Sequence, residues 1–147
     1  MMKRMVATLS KDYVYGRCDI LLTTHRSCIQ QINVCKTHQQ KGLGTYLLRF
    51  TEQCLYHKYN ITALHALVWQ PQTEYVTDFY VKNNYERKMS TQHTDYYDDG
   101  MTVYELIPYS KSFTMDNIAL PKCSPSQKDT PMNNYNEYQI DFKHYNL

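Results

Sequence analysis

The pattern of apolar residues changes its period at Gly42, and this change limits the folds open to the chain. Upstream, the run Cys28–Cys35 largely alternates apolar and polar positions, as a β-strand does. Downstream, apolar residues recur at spacings of four, three and four, the pattern of one buried helix face: Leu43, Leu47, Phe50 and Cys54. The sequence therefore predicts a strand followed closely by a helix from about Leu43 to Tyr59.

Strand and helix signals continue to alternate along the chain. Ile61–Trp69 is a short, nearly continuous apolar run, which is typical of a central strand. A second helix is expected after the N-cap residue Thr73 and is expected to end at Asn83–Asn84. Further β-rich segments complete the pattern of an α/β domain: Met5–Leu9, Tyr13–Thr24, Tyr85–Thr91 and Met101–Ile107.

Length and composition indicate one domain with a polar extension. A chain of 147 residues is long enough for a single core, and we predict the domain at residues 1–115. Residues 116–147 form a tail that is polar above all from Ser124 to Asn136, so we expect it to be mobile or ordered by a partner. The tail also carries apolar residues that could dock somewhere: Tyr135, Tyr138, Ile140, Phe142 and Tyr145.

Charge and cysteine usage exclude several classes of protein. A formal net charge of +2 gives no electrostatic footprint of a direct nucleic-acid binder. Neither a secretory signal nor a membrane span of roughly 20 apolar residues is present in the sequence. Five cysteines without a CxxC pair argue against a disulfide framework and a zinc site. We expect an intracellular protein, in cytoplasm or nucleus, that uses no metal and binds neither nucleic acid nor membrane directly.

The predicted strand-to-helix junction carries Gly42 and Gly44, two of only four glycines in the chain. Glycine lets backbone N–H groups approach an anion closely, and a helix N-terminus adds unsatisfied donors and partial positive charge. Lys41 adds a full positive charge at the same place. The junction therefore favours a pyrophosphate-binding loop, with a tight turn that binds nothing as the alternative.

Two segments resemble motifs of the GNAT superfamily of acetyl-CoA-dependent N-acetyltransferases. Gln39–Thr45 resembles its acyl-CoA loop, (Q/R)xxGx(G/A). Thr73–Tyr85 resembles its second motif, NxxAxxFYxKxGF, with Phe79, Tyr80 and Lys82 in register. The departures in this second segment are Thr73, Val76 and Asn84, and they indicate a divergent member. The resemblance is nearest to the protein acetyltransferase branches. The sequence lacks the N-terminal helical region that those proteins carry.

The resemblance implies a mixed, mostly antiparallel sheet that is splayed around acetyl-CoA, with helices on both faces. The gap would open between the strands Cys28–Cys35 and Ile61–Trp69. Backbone groups of β-strand residues would hold the acetyl and pantetheine part: Ile32, Asn33 and Val34. The junction would hold the pyrophosphate: Gln39, Gln40, Lys41, Gly42, Leu43, Gly44 and Thr45. The acceptor amine would approach from the opposite side of the sheet.

The resemblance also suggests catalytic residues. Tyr80 stands where relatives often carry a tyrosine that protonates the departing thiolate, although it could simply pack on its helix. Relatives that acetylate histones place a glutamate at the position of Cys28, so the base in this chain must be another group. The candidates are Asp19, His25, His65 or a water that they hold, and for His65 the alternative is a hydrogen-bonded core histidine.

The acceptor is expected to be an amine of a protein or peptide, either an α-amine or a lysine. Deprotonation at pH 7 costs roughly 1.4 kcal/mol for an α-amine and roughly 4.6 kcal/mol for lysine, so a site without a strong base favours the α-amine. One alternative is a catalytically reduced domain that serves as a structural or regulatory subunit, and a neighbouring subunit could also complete the acceptor site. Another is a small-molecule acetyltransferase for a polyamine or amino sugar, steered by Asp95–Asp99.

Overall fold

A computed structural model describes residues 2–39, 42–69, 74–88, 91–97, 100–121 and 138–146, and at 69, 74–75, 91–97 and 100–106 it describes the backbone. The elements in chain order are strand β1 Lys3–Ser10, β2 Val14–Leu22, β3 Ser27–Val34, a short 3-10 turn at Lys36–His38, helix α1 Leu43–Tyr59, β4 Ala63–Trp69, α2 Glu74–Lys82, β5 Glu86–Arg87, β6 Thr91–Tyr97, β7 Gly100–Ser112 and β8 Gln139–Asn146. Neither described helix is both long and apolar enough to cross a bilayer.

The eight strands among these residues form one sheet. Its order is β5-β7-β4-β3-β2-β1-β8, and β6 pairs with β7 further along the same edge as β5. Only the β3–β4 pair in this described sheet is parallel. The prediction of a mixed, mostly antiparallel sheet is confirmed.

Helix α1 covers the centre of the sheet and forms the core with it. Its bounds match the predicted helix, and its buried face includes Leu43, Leu47 and Leu55. The opposing sheet residues alternate along β1, where Met5 and Ala7 are fully buried. Asn60 ends the helix in the left-handed conformation, with φ 55°.

Both described helices lie on one face of the sheet, whereas the motif resemblance implied helices on both faces. The crossovers β3–α1–β4 and β4–α2–β5 each join parallel strands and advance in the same direction across the sheet, so right-handed connections place both helices on one side. Contacts between the helices agree. Arg49 Nε of α1 donates to Asn83 Oδ1 just after α2 at 3.1 Å, and Asn83 Nδ2 donates to Thr45 Oγ1 at 3.3 Å. No described helix covers the second face.

Part of the predicted mobile tail is instead a strand of the central sheet. Gln139–Asn146 pairs with β1 along its whole length, from Lys3↔Asn146 to Ser10↔Gln139. Alternate residues of β8 turn toward α1, and the ring of Phe142 lies 5.9 Å from that of Tyr59. This alternation stabilises a segment that composition alone marks as polar. Residues 122–137, which carry most of that polar composition, lie outside the described part of the chain.

A buried ion pair ties α1 to the sheet. Lys111 Nζ of β7 donates to Glu52 Oε1 at 2.7 Å, and both side chains are fully buried. Tyr85 Oη donates to Glu52 Oε2 at 2.8 Å, and Lys111 Nζ also donates to the Asn117 carbonyl at 2.6 Å. Burial raises the pKa of Glu52 and lowers the pKa of Lys111. The cluster therefore joins four separate segments through groups that are costly to leave unpaired.

Removing one partner of this pair should destabilise the fold strongly. Lys111→Met leaves the Glu52 carboxylate buried without its cation, and we expect the free energy of unfolding to fall by about 3 kcal/mol. The double variant Glu52→Leu with Lys111→Met removes both charges and should recover most of the loss. Urea titration of the two variants and of the exposed control Lys143→Met measures this. A loss in Lys111→Met no larger than in the control would contradict the role of the pair.

Candidate functional site

Strands β3 and β4 separate after a very short ladder. They pair only at Cys28↔His65 and Ile29↔Ala66, although β3 has eight residues and β4 has seven. From Gln30 onward the two strands diverge toward their C-terminal ends. The splayed pair of strands predicted from the sequence is therefore present. Beyond Ile29, the edge of β3 that faces β4 has no strand partner among the described residues.

A β-bulge lies at the point where the strands part. The β2–β3 register runs from Asp19↔Gln31 to Ile20↔Ile29, which leaves Gln30 as the extra residue. A bulge bends its strand and increases the local twist, and it thereby turns β3 away from β4. The sequence carries a weak signal of it, because Gln30 and Gln31 are two polar residues in succession within an alternating strand.

The opening between the strands is a cavity of about 590 Å³ that extends to the start of α1. The sequence-predicted residues that line it are Ile32, Asn33, Val34, Gln39, Gly42, Gly44, Thr45 and Tyr80. The side chain of Leu43 is 1% exposed and packs in the core, while its backbone N–H belongs to the first turn of α1. Gln40 and Lys41 lie outside the described residues. Residues without a predicted binding role also line the cavity, among them Gln30, Gln31, Leu67, Asp78 and Lys82.

Gly42 and Gly44 have different roles at the helix start. Gly42 precedes α1 with φ 79°, a conformation that favours glycine, and no side chain caps the helix there. The first amide N–H groups of α1 are thus open donors at one end of the cavity. Gly44 permits close helix packing, because a Cβ at this position would stand 3.3 Å from Cε1 of Phe79. Both glycines line the cavity, and Gly42 alone of the two has a positive φ.

Hydrogen bonds fix the loop that joins β3 to α1. Gln39 Nε2 donates to the Val34 carbonyl at 2.8 Å, so the side chain braces the end of β3. His38 Nδ1 lies 2.9 Å from Tyr138 Oη, just before β8, and the His38 ring packs on Tyr15 at 3.8 Å. The C-terminal segment thus supports the loop beside the cavity.

Tyr80 lines the cavity from α2. Its side chain is largely buried, and burial raises the pKa of its phenol well above the ordinary value. The hydroxyl is therefore protonated at neutral pH. It makes no recorded hydrogen bond to the described residues, while its ring packs between Tyr85 and Tyr109. These ring contacts hold the side chain of Tyr80 at the cavity wall.

His65 lies elsewhere, and the structure does not bring it together with Tyr80. It lines a second cavity, with His25, at the opposite end of β4. Burial lowers the pKa of His65, and the cations Arg26 and Lys88 lower it further, so the imidazole is neutral at pH 7. Its ladder partner Cys28 is a half-buried thiol whose pKa is raised by burial. Neither group forms a charged pair with the other.

No acidic residue singled out in the sequence provides a base in the described part of the cavity. Asp19 stands beside the bulge, and its carboxylate accepts a hydrogen bond from Arg17 Nε at 2.7 Å. The side chain of Asp95 is not described, and 98–99 lie outside the described residues. Across the described chain, no three His, Cys, Asp or Glu side chains are grouped where they could hold a metal ion.

Comparison with known proteins shows similarity in fold without similarity in sequence. No family model matches the chain, and no curated protein matches it in sequence. An IAA acetyltransferase from Bacillus cereus has a TM-score of 0.58 at 17% identity, covering 71% of this chain and 73% of its own. The ribosomal-protein-S18-alanine N-acetyltransferase from Escherichia coli has a TM-score of 0.58 at 16% identity, covering 72% and 66%.

A third similar structure contains a ligand. The GNAT family acetyltransferase from Elizabethkingia anophelis, with acetyl-CoA bound, has a TM-score of 0.57 at 13% identity, covering 73% of this chain and 76% of its own. At such low identities, a structural likeness shows the fold. The sheet order, the parallel splayed pair of strands and the two crossover helices of this chain together form the fold of the GNAT acetyltransferases.

Proposed function

We propose that this protein transfers an acetyl group from acetyl-CoA to an amine of a protein or peptide. The observation that carries the proposal is the cavity between β3 and β4, which ends at the open N–H groups of a glycine-preceded helix. The same fold holds acetyl-CoA in the Elizabethkingia anophelis structure. Acetyl-CoA would supply the activated acetyl group and a thiolate leaving group.

The residues of the cavity fit the parts of acetyl-CoA. The first turn of α1 offers amide donors to the pyrophosphate, and Lys82 adds a cation to the same cavity. The unpaired edge of β3, Gln31–Val34, offers backbone groups that an extended amide chain such as pantetheine can pair with. A β-bulge at Gln30 breaks the regular ladder and leaves amide groups for polarising a carbonyl.

Tyr80 is proposed as the proton donor to the thiolate. A donor must be protonated before the reaction and must lie within reach of the leaving group. Burial of the phenol satisfies the first condition, and its position on the cavity wall supports the second. Because Tyr85 and Tyr109 hold the ring, little reorientation is needed when the thiolate forms.

In the described part of the chain, the site has no strong base beside it for removing a proton from the amine. His65 is neutral and can accept a proton, but it lines the second cavity, so we propose that it acts through water. The cavity carries no buried carboxylate among its described residues, and Asp78 is exposed. An amine that is partly deprotonated at neutral pH is therefore the preferred acceptor, which favours a peptide α-amine over lysine.

A second candidate function is that of a non-catalytic subunit. It is favoured by the residue at the expected base position, Cys28, whose thiol stays protonated because burial raises its pKa. The helix-free face of the described sheet also offers a surface for another chain. Binding of acetyl-CoA and turnover are separable measurements, so the two candidates make different predictions.

Calorimetric titration with acetyl-CoA tests the cofactor site. We expect wild type to bind with a micromolar Kd and the double variant Gly42→Ala with Gly44→Ala to bind at least about tenfold more weakly, or ~1.4 kcal/mol. The reason is that an alanine at position 42 would be strained at φ 79° and the Cβ of an alanine at position 44 would press on Phe79. Asn60→Gly, at the other end of α1, is the matched control and should bind normally. Absence of binding to folded wild type would refute the proposed function.

Kinetics of Tyr80→Phe test the proton donor. We expect kcat for acetyl transfer to a peptide N-terminus to fall roughly 10- to 100-fold, with the Kd for acetyl-CoA unchanged, because only the hydroxyl proton is removed. Tyr109→Phe removes a hydroxyl from the stacked neighbouring ring and serves as the control. Thiol release measures both variants. Equal kcat values for the two variants would exclude the proposed role of Tyr80.

A further inference from the structure

The second cavity lies at the other end of the β3–β4 ladder. It has a volume of about 670 Å³ and is formed by the β2–β3 turn, the start of β1, the end of α1 and the start of β4. The ladder has only two residue pairs, with Ile29 lining the first cavity and His65 lining the second. Since a strand rises about 3.3 Å per residue, the two cavities are separated by only a few ångströms along the strands.

The lining of the second cavity is one-sided in charge. Lys3 and Arg26 are the cations that line it, His25 and the neutral His65 lie beside them, and none of its described lining residues is acidic. The whole chain is nearly balanced, with 16 basic and 14 acidic side chains, so this local excess does not follow from composition. Hydroxyl groups of the same lining could add hydrogen bonds: Thr23, Thr24, Ser27 and Thr62.

Arg26 is held in place by its backbone while its charge stays available. Thr23 N–H donates to the Arg26 carbonyl at 2.9 Å, and Arg26 N–H donates to Thr23 Oγ1 at 3.1 Å. The guanidinium forms no ion pair with the residues that the structure describes. Its field also reaches His65, whose pKa it lowers. Arg26 is exposed, and an accessible cation that has no anionic partner among the described residues can pair with the anion of a ligand.

We propose that this cavity binds an anionic group of the acceptor, so that the acceptor is an amine that also carries a carboxylate or a phosphate. The inference rests on the proposed function and adds the acceptor's chemical class to it. Arg26 provides the bidentate contact that carboxylates and phosphates prefer, and Lys3 adds charge at the cavity. The short ladder allows one molecule to reach the β3–β4 cleft with its amine while its anion stays at Arg26.

Matched acceptors separate this proposal from general amine recognition. One pair is alanine and alaninamide, and the other is a peptide whose free N-terminal Ala precedes two glutamates and the same peptide with two glutamines. We expect a higher kcat/KM for the acidic member of one pair or both, and the responding pair shows whether the anion belongs to a free amino acid or to a peptide. Equal values within both pairs would overturn the proposal.

The variant Arg26→Gln tests the residue itself. Loss of one unit charge near a ligand anion should lower kcat/KM for the preferred acidic acceptor about fivefold relative to the value for its neutral partner. Lys143→Gln, the same charge change at an exposed residue of β8 that does not line the cavity, should leave both values unchanged. An equal fall for acidic and neutral acceptors in Arg26→Gln would indicate a structural effect and overturn the proposal.

A direct titration keeps the test independent of turnover. If none of the acceptors reacts, glutarate is titrated into the protein while the ring resonances of His25 and His65 are followed by NMR. Saturable shifts in wild type that Arg26→Gln weakens support the anion site, and shifts that are absent or equal in both proteins overturn it. Acetyl-CoA binding measured on the same samples shows separately whether the proposed function has failed.

Discussion

The early separation of β3 and β4 is the constraint on which the rest of the molecule depends. After Ile29↔Ala66 the ladder stops, and β3 leaves backbone donors and acceptors without a strand partner. Buried backbone groups without partners cost about 1–3 kcal/mol each, so a protein keeps such an edge only where water or a ligand can satisfy it. The bulge at Gln30 fixes where the strands part, and the helix start at Gly42 fixes where the cleft ends. The candidate site is thus a consequence of an interrupted sheet.

Contacts around the β3–β4 cleft stabilise its shape. Glu52 and Lys111 anchor α1 to β7 on the far side of β4, and Asn83 joins the start of α1 to the end of α2. These two helices form the walls of the cleft, so their mutual position sets its width. Tyr138 and β8 support the opposite side, because His38 connects them to the loop before α1. A segment remote in sequence thereby contributes to the shape of the site.

The features that could be predicted from the sequence are those that depend on neighbouring residues. The periodicity of α1 gave its bounds, and the junction at Gly42 gave the position of the candidate anion loop, because both depend on neighbouring residues. The strand β8 was predicted as a tail, since its polar flank hides an alternation that becomes meaningful only beside β1. Tyr80 lines the first cavity from α2, whereas His65 lines the second cavity at the start of β4. Their separation depends on where β3 and β4 part, and the β-bulge that marks this point has no strong sequence signal.

Hydrogen exchange with and without acetyl-CoA tests the central claim, that the interrupted β3–β4 pair is a cofactor cleft. Amides on the unpaired edge of β3 lack strand partners in the free protein, and those of the first turn of α1 lack helical partners. Acetyl-CoA should therefore slow exchange most within Gln31–Val34 and Gly42–Thr45. Protection confined to other segments, or none at a saturating concentration, would contradict this account of the fold and its function.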